Sequence, residues 1–197
     1  MNVIRRRTVA IATAAAAALA VSGLAATAPS ASAAVLYEKL EALHSGKVLD
    51  VGNASTSANA HVIQFPFTGG ANQQWRKVNV VASPNNTDTP DFVLQNRNSG
   101  MCLDVEGQSK QAGAHLVQQP CDLNGGKSSQ RWYMHKLADK GLLTPKGYRW
   151  IFNRNSGLVV DIGNASTADK TLAIQYFQKG LGSADNQMFN FGFGGVG

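Results

Sequence analysis

One stretch of this sequence occurs three times, and this repetition constrains the fold more than any other feature. The copies run from Ser45 to Trp75, from Ser99 to Trp132 and from Ser156 to Phe189. Each copy opens with Ser-Gly, places an aspartate soon afterwards, and closes with glutamine, one further residue and an aromatic side chain. A repeat of this length is one supersecondary unit that cannot bury its apolar face alone. The three copies must therefore close on one another around a shared core.

The landmarks of the three copies keep the same register. The repeated aspartates are separated by 54 and then 57 residues, and each is followed fourteen residues later by a glutamine. These pairs are Asp50 and Gln64, Asp104 and Gln118, and Asp161 and Gln175. The closing pairs are Gln73 and Trp75, Gln130 and Trp132, and Gln187 and Phe189. We expect the aromatic member of each closing pair to lie in the core.

Residues 1–33 have the features of a secretory signal peptide. Arg5, Arg6 and Arg7 form a positive start, an Ala/Val/Leu run follows, and residues 31–33 read Ala-Ser-Ala, a cleavage signature. A transmembrane anchor is the alternative, but the run is rich in alanine and ends in a cleavage site. We expect a secreted, extracellular protein in which residues 34–197 form one domain. Its repeats would lie at about 37–80, 91–136 and 148–193.

Charge argues against a nucleic-acid partner. Removal of residues 1–33 lowers the net charge from +6 to +3, because this segment holds three arginines and no acidic residue. A charge of +3 over the remaining 164 residues, without a cluster of Lys or Arg, does not fit a nucleic-acid-binding surface. The sequence predicts no nucleic-acid partner, no membrane partner and a monomer.

Short apolar runs broken by Gly, Asn, Ser and Asp indicate β-structure throughout the mature sequence. Val48–Val51, Cys102–Val105 and Leu158–Ile162 are examples, and no stretch has a convincing helical period. Strands of this length with regular turn signals predict an all-β sandwich or barrel. The Ser-Gly pair that opens each copy predicts a tight turn. Gly-Asn-Ala-Ser-Thr, at 52–56 and 163–167, predicts a turn shared by copies one and three.

The mature sequence contains two cysteines, Cys102 and Cys121, both in the second copy. They mark neighbouring strands of one repeat, so a disulfide between them is geometrically reasonable in an oxidising compartment. Two free buried thiols are the alternative. His115 and His135 show no ligand spacing with these cysteines. We therefore predict neither a metal site nor a cofactor.

Three copies that open with Gly-x-x-x-Asp-Val/Ile and close with Gln-x-aromatic resemble the ricin B-chain-like lectins. The bacterial versions of these lectins are the family 13 carbohydrate-binding modules. The resemblance covers nearly the whole mature sequence, about Val35 to Phe193, and the cysteine placement matches as well. It implies a β-trefoil, in which twelve strands form a six-stranded barrel capped by three hairpins, with pseudo-threefold symmetry. It also implies up to three sugar sites, one in each copy.

A sugar site needs a carboxylate to accept hydroxyl protons, an aromatic ring for the apolar C–H face of the sugar, and a side-chain amide. Copies one and three supply all three groups. In copy one they are Asp50, Phe65, Asn72 and Gln73. In copy three they are Asp161, Tyr176, Asn186 and Gln187. Copy two has Gln119 at the aromatic position and Ser129 in place of the asparagine, so we expect it not to bind sugar.

Several of these assignments have alternatives. Strand alternation places Phe177, and not Tyr176, on the face of Gln175, whereas counting back from the position of Cys121 favours Phe65 and Tyr176. We take the second count, with Phe67 and Phe177 as alternates.

Other residues have structural alternatives. The glutamine of each closing pair could instead satisfy backbone groups near the barrel. Asp104 persists in a copy without the aromatic residue, which suggests that the repeated aspartate is partly a turn residue. The sequence leaves open whether the glutamines fourteen residues after the aspartates reach a sugar. These are Gln64, Gln118 and Gln175.

The predicted function is binding of polysaccharide or glycan without catalysis, through shallow sites in copies one and three. No second domain, Ser-His-Asp arrangement or metal cluster stands out that would support an enzyme. A β-trefoil protease inhibitor or protein-interaction module is the alternative, because fold does not fix function. The candidate reactive loop of such an inhibitor is Val80–Thr89.

Overall fold

The computed structural model describes residues 35–80, 90–124, 126–134, 147–180 and 183–193. The predicted signal peptide, residues 81–89 of the candidate reactive loop, and His135 lie outside the described residues. Among the described residues, no helix is long and apolar enough to cross a membrane.

The described part of the chain contains thirteen β-strands and several single-turn 3-10 helices. In chain order, the strands are β1 (Glu38–Ala42), β2 (Val48–Val51), β3 (Val62–Phe65), β4 (Trp75–Asn79), β5 (Phe92–Asn96), β6 (Cys102–Val105), β7 (Leu116–Gln119), β8 (Trp132–Tyr133), β9 (Tyr148–Arg149), β10 (Phe152–Asn153), β11 (Val159–Ile162), β12 (Ala173–Tyr176) and β13 (Phe189–Phe193).

Antiparallel pairing closes six of the segments into a barrel. β1 pairs with β13 and β4, β4 with β5, β5 with β8, and β8 with β10. β13 also pairs with β9, and only two residues separate the end of β9 from the start of β10. β9 and β10 therefore act together as the sixth segment. The predicted twelve strands become thirteen because the first half of this segment pairs with β13 and its second half with β8.

Three hairpins cap the barrel, one from each copy. They are β2–β3, β6–β7 and β11–β12. Isolated bridges join the second strands of these hairpins, between His61 and Val117, between His115 and Ile174, and between Ile63 and Leu172. Each copy thus touches the next in a cycle, and the chain has the pseudo-threefold arrangement of a β-trefoil, as the resemblance implies.

One apolar core is shared by all three copies. Trp75, Trp132 and Phe189 are almost completely buried in it, as the sequence predicts. Each tryptophan also donates its indole N–H to a backbone carbonyl, that of Leu49 in copy one and that of Leu103 in copy two, both at 3.1 Å. A buried indole needs such a partner, so this position both fills the core and fixes the hairpin above it.

The predicted turns are present at equivalent places. Gly46, Gly100 and Gly157 have φ values of 65°, 70° and 73°, a region that glycine enters without the Cβ clash of other residues. Asn53 and Asn164 of the Gly-Asn-Ala-Ser-Thr motif have positive φ as well, at 55° and 56°. The motif is therefore a shared turn, as predicted.

The predicted disulfide joins Cys102 to Cys121, with a Cα–Cα separation of 4.9 Å. Cys102 begins β6, and Cys121 lies two residues beyond the end of β7. The bridge packs with Val80 and Val93 in a small apolar cluster. It therefore ties the ends of the second hairpin together and excludes the alternative of two free thiols.

Candidate functional site

The repeated aspartate and the glutamine of the closing pair meet in every copy. Gln73 donates to Asp50 at 2.8 Å, Gln130 to Asp104 at 3.0 Å, and Gln187 to Asp161 at 2.7 Å. The aspartates lie at the second-to-last residue of β2, β6 and β11. The glutamines close the 3-10 turns that precede the core aromatics. The local fold thus fixes each carboxylate at one edge of its hairpin.

The same three glutamines share two further bonds, and Gln73 also accepts from the hydroxyl of Thr68 at 3.1 Å. Their amide groups donate to the carbonyls of Pro66, Pro120 and Phe177, and they accept from the backbone N–H groups of Thr68, Asp122 and Lys179. All three side chains are buried. Because both donors of the NH₂ group are used inside the protein, each glutamine holds its aspartate and the following loop in a fixed relation.

In copy one, the predicted residues surround an open depression of about 290 Å³. Asp50, Phe65 and Asn72 all line it. Asn72 donates to Oδ1 of Asp50 at 2.9 Å, while Gln73 donates to Oδ2. Each carboxylate oxygen has a second lone pair, so Asp50 can still accept from a ligand. We call Asp50, Phe65, Asn72 and Gln73 site one.

Phe65 and Phe67 were the two candidates for the stacking residue of copy one, and they lie in different surroundings. Phe65 lines the depression beside Asp50. The ring of Phe67 lies instead near Lys39, whose Nζ is 5.2 Å from its centroid. In copy one the geometry therefore favours Phe65.

Burial raises the pKa of Asp50 above its ordinary value of 3.8, while the hydrogen bonds from Gln73 and Asn72 oppose that rise. The residue is only 4% exposed, so loss of solvation is the larger effect. The two amides therefore provide much of the stabilisation that the carboxylate loses on leaving water.

In copy three, Asp161, Tyr176, Asn186 and Gln187 form the equivalent arrangement, which we call site three. Asn186 donates to Oδ1 of Asp161 at 2.8 Å, and both side chains are buried. Tyr176 is 39% exposed at the end of β12, and its ring contacts that of Phe177, which is 63% exposed. Lys179 connects this aromatic pair to the carboxylate, because its Nζ lies 5.8 Å from the centroid of the Tyr176 ring and 3.4 Å from Oδ2 of Asp161.

Lys179 distinguishes site three from site one. Its Nζ lies 3.4 Å from Oδ2 of Asp161 and 3.3 Å from the amide oxygen of Asn186. Thr68 occupies the corresponding position in copy one, because both residues follow their aspartate by eighteen positions. The carboxylate of Asp161 thus has a cationic partner that Asp50 does not receive from its own copy.

Copy two keeps the aspartate and the closing glutamine but lacks the aromatic residue and the asparagine. Ser129 is too short to reach the carboxylate, and Oδ1 of Asp104 instead accepts from the backbone N–H of Val105 at 2.7 Å. Gln119, at the aromatic position, is hydrogen-bonded to Asn59 of copy one. The presence of Asp104 in a copy without the aromatic residue therefore has a structural explanation, because Asp104 accepts a hydrogen bond from buried Gln130.

Gln64, Gln118 and Gln175 point away from the candidate sites. All three are fully buried, and each accepts from the serine of its own Ser-Gly turn at 2.7–2.8 Å. Each also donates to two carbonyls of a neighbouring copy. These glutamines connect the repeats, which answers the question that the sequence left open.

A further residue of site one comes from another copy. Lys170 of copy three lines the depression around Asp50, and its backbone N–H bonds the carbonyl of Gln64 at 3.0 Å. The corresponding residues are Asn59 beside copy two and Gly113 beside copy three. Sequence reasoning missed Lys170 because each copy was considered alone, although its register, nine residues after Asp161, was readable.

The comparisons with known proteins agree with this architecture. The family model described as ricin-type beta-trefoil lectin domain-like matches residues 27–89 and 80–176. The described fold, in which three hairpins cap a six-segment barrel, is a β-trefoil. The chain belongs to the ricin-type β-trefoil lectin-like family. No curated protein sequence matches it.

Solved structures share this fold. The designed threefold-symmetric protein ThreeFoil is 39% identical, with a TM-score of 0.64 over 79% of this chain and 96% of the design. An exo-beta-1,3-galactanase from Clostridium thermocellum is 28% identical, with a TM-score of 0.67 over 82% of this chain and 31% of the galactanase. The Rhizoctonia solani agglutinin, at 20% identity and a TM-score of 0.61 over 82% of this chain and 97% of its own, shares the fold.

Proposed function

We propose that this protein is a secreted, non-catalytic glycan-binding protein that uses site one and site three. The observation that carries the proposal is the open depression lined by Asp50, Phe65 and Asn72 in a lectin-type fold. A carboxylate, an amide and an aromatic ring at one edge are what a sugar ring requires. The family is one of lectin-type domains, for which binding without catalysis is the expected activity, and the disulfide is consistent with an extracellular protein.

The roles of the residues follow from their hydrogen bonds. Asp50 and Asp161 would accept protons from vicinal sugar hydroxyls, since charge-assisted bonds are the stronger ones. Phe65 and Tyr176 would stack on the C–H face, with Phe177 as a second aromatic contact in site three. Asn72 and Asn186 would present an amide oxygen or hold the carboxylate.

Gln73 and Gln187 are assigned a different role from the direct sugar contact predicted from the sequence. Each is buried and already uses both amide donors within the protein. We therefore assign them to positioning the carboxylates.

We propose that copy two does not bind sugar. Gln119 offers no stacking surface, and its amide is already bonded to Asn59. Ser129 is 1% exposed, and its hydroxyl has no hydrogen-bond partner within the described part of the chain. Asp104 is therefore a matched control for the other two aspartates, because it shares their bond to glutamine and lacks the surrounding groups.

Calorimetry with a soluble ligand selected on a glycan array tests this proposal. The parent should bind two sugars per chain. Asp50→Asn and Asp161→Asn should each bind one, the double variant none, and Asp104→Asn two. Loss of binding in Asp104→Asn with folding intact by circular dichroism would refute the silence of copy two. Absence of binding to every glycan, together with inhibition in a protease panel, would favour the inhibitor alternative.

A further inference from the structure

A cluster of metal-ligating side chains lies apart from sites one and three, where two hairpins meet. His61 directly precedes β3 and His115 directly precedes β7. The two histidines occupy equivalent places, eleven residues after Asp50 and Asp104 respectively. Glu106 follows β6 and faces His115 across the second hairpin. One ligand thus comes from copy one and two come from copy two.

The three side chains already converge. One ligand atom from each of His61, Glu106 and His115 lies within 4.8 Å of the other two. Nδ1 of His115 is 3.4 Å from a carboxylate oxygen of Glu106. The rings of His61 and His115 meet edge to face, with centroids 5.1 Å apart. In a tetrahedral zinc site with bonds of about 2.0–2.2 Å, ligand atoms are about 3.3 Å apart. His61 and Glu106 are exposed and His115 is partly exposed, so rotation of these side chains can bring the ligand atoms to this spacing.

The backbone beneath the cluster is fixed. The N–H of Glu106 donates to the carbonyl of His115 at 3.0 Å, and the N–H of Gly52 donates to the carbonyl of His61 at the same distance. His61 and His115 also each form a β-bridge to the next hairpin. Ligands on backbone held in this way lose little conformational freedom when they bind an ion, which favours binding.

Copy three shows that the fold does not require these polar residues. Leu172 occupies the histidine position and Gly163 the glutamate position, yet the same backbone bond forms between them at 3.1 Å. Copy one likewise has Gly52 in the glutamate position. The two histidines and the glutamate are therefore not needed to form the β-trefoil at this place.

We propose that His61, Glu106 and His115 bind a divalent transition-metal ion, with Zn²⁺ as the best match. Two imidazoles and one carboxylate are nitrogen and oxygen donors that suit zinc, whereas Ca²⁺ and Mg²⁺ prefer all-oxygen sites. Three protein ligands leave one position of a tetrahedral site open to water or another ligand. The ion would link the hairpins of copies one and two. This differs from the absence of a metal site that we predicted from the sequence.

Calorimetric titration of the chelator-treated, tag-free protein with Zn²⁺ tests the proposal. The parent should bind one ion with saturation and gain thermal stability, while Mg²⁺ should give neither effect. His61→Ala and His115→Ala should each weaken Zn²⁺ binding by at least about tenfold, since even outer partners of a metal ligand contribute that much. Co²⁺ should give the absorption bands of a low-symmetry site in the parent only.

His44→Gln is the matched control, because His44 lies outside the cluster and a glutamine amide can still donate to the carbonyl of Ser166. This variant should bind Zn²⁺ as the parent does. Absence of saturable Zn²⁺ binding by the parent would overturn the proposal. An unchanged Zn²⁺ affinity in either His61→Ala or His115→Ala would overturn it as well, because the three-ligand site needs both rings.

Discussion

Gln73→Ala tests whether the closing glutamine positions Asp50 or contacts a sugar itself. The substitution removes the bond to Asp50 at 2.8 Å and the bond to the carbonyl of Pro66 at 2.8 Å. It also removes the acceptor of the Thr68 backbone N–H at 2.7 Å. Gln130→Ala is the matched variant, because it removes the same three bonds in the copy that we propose to be silent.

The expected cost follows from these bonds. A hydrogen bond to a charged group contributes about 1.5–3 kcal/mol and each neutral one about 1 kcal/mol, so loss of all three would cost about 3.5–5 kcal/mol. Water entering from the open depression would replace part of this in copy one. We expect Gln73→Ala and Gln130→Ala each to lower the free energy of unfolding by about 2–4 kcal/mol.

Urea unfolding followed by circular dichroism measures the stability change, and calorimetry measures sugar binding. Gln73→Ala should weaken site one in addition to destabilising the fold, whereas Gln130→Ala should change stability alone. If Gln73→Ala abolished binding at site one without a measurable stability loss, the glutamine would be a direct sugar ligand and the positioning role would be wrong.

The stability loss in Gln73→Ala should depend on pH. Burial raises the pKa of Asp50 above 3.8, and Gln73 opposes this rise, so the pKa should rise further without Gln73. A carboxyl group with a raised folded-state pKa favours the folded state fully below its unfolded-state pKa, and this benefit is lost as the pH rises through the folded-state pKa. The difference in unfolding free energy between parent and Gln73→Ala should therefore be smaller near about pH 4 than at neutral pH.

Three further predictions concern other parts of the molecule. Lys170→Ala should weaken sugar binding at site one and leave site three unchanged, as measured by calorimetry in an Asp161→Asn and an Asp50→Asn background respectively; equal effects on both sites would contradict its placement beside Asp50 alone. Replacing Cys102 and Cys121 by alanine opens a link between residues 19 apart in sequence and should cost about 3 kcal/mol in urea unfolding without changing sugar stoichiometry; an unchanged midpoint would refute this. Asp50→Asn and Asp161→Asn should each lose much more than half of the binding to an insoluble polysaccharide in pull-down assays, because avidity from two sites on one scaffold reaches about 10²-fold; a loss of only half would mean that the sites act independently.

The threefold repeat allowed the β-trefoil to be predicted from the sequence. The spacing of the aspartates, the closing aromatics and the Ser-Gly turns are local features, and each marks a place that the fold treats identically in all copies. The division of one barrel segment into β9 and β10 was not readable. It depends on which neighbours the two halves of the segment meet, and these neighbours come from distant parts of the chain.

The candidate sites were predictable in part, for the same physical reason. Asp50, Phe65 and Asn72 belong to one copy, so register alone placed them together. The sequence left open whether Gln73 and Gln64 contact a sugar or satisfy groups inside the protein, because glutamine is usually exposed and only tertiary packing shows that its amide is fully bonded. Lys170 and the pair of His61 and His115 depend on contacts between copies. The sequence marks these residues only by their equal distance from the aspartate of each copy, and this becomes visible when the three copies are aligned with one another.

A crystal soaked in a mixture of sugars would report the occupied sites and the ligand together. We predict sugar rings stacked on Phe65 and on Tyr176 or Phe177, each with hydroxyls within hydrogen-bond distance of Asp50 or Asp161. We expect no sugar beside Gln119 and Asp104. A sugar bound in copy two, or sugars bound only at surfaces away from all three aspartates, would contradict the proposed sites.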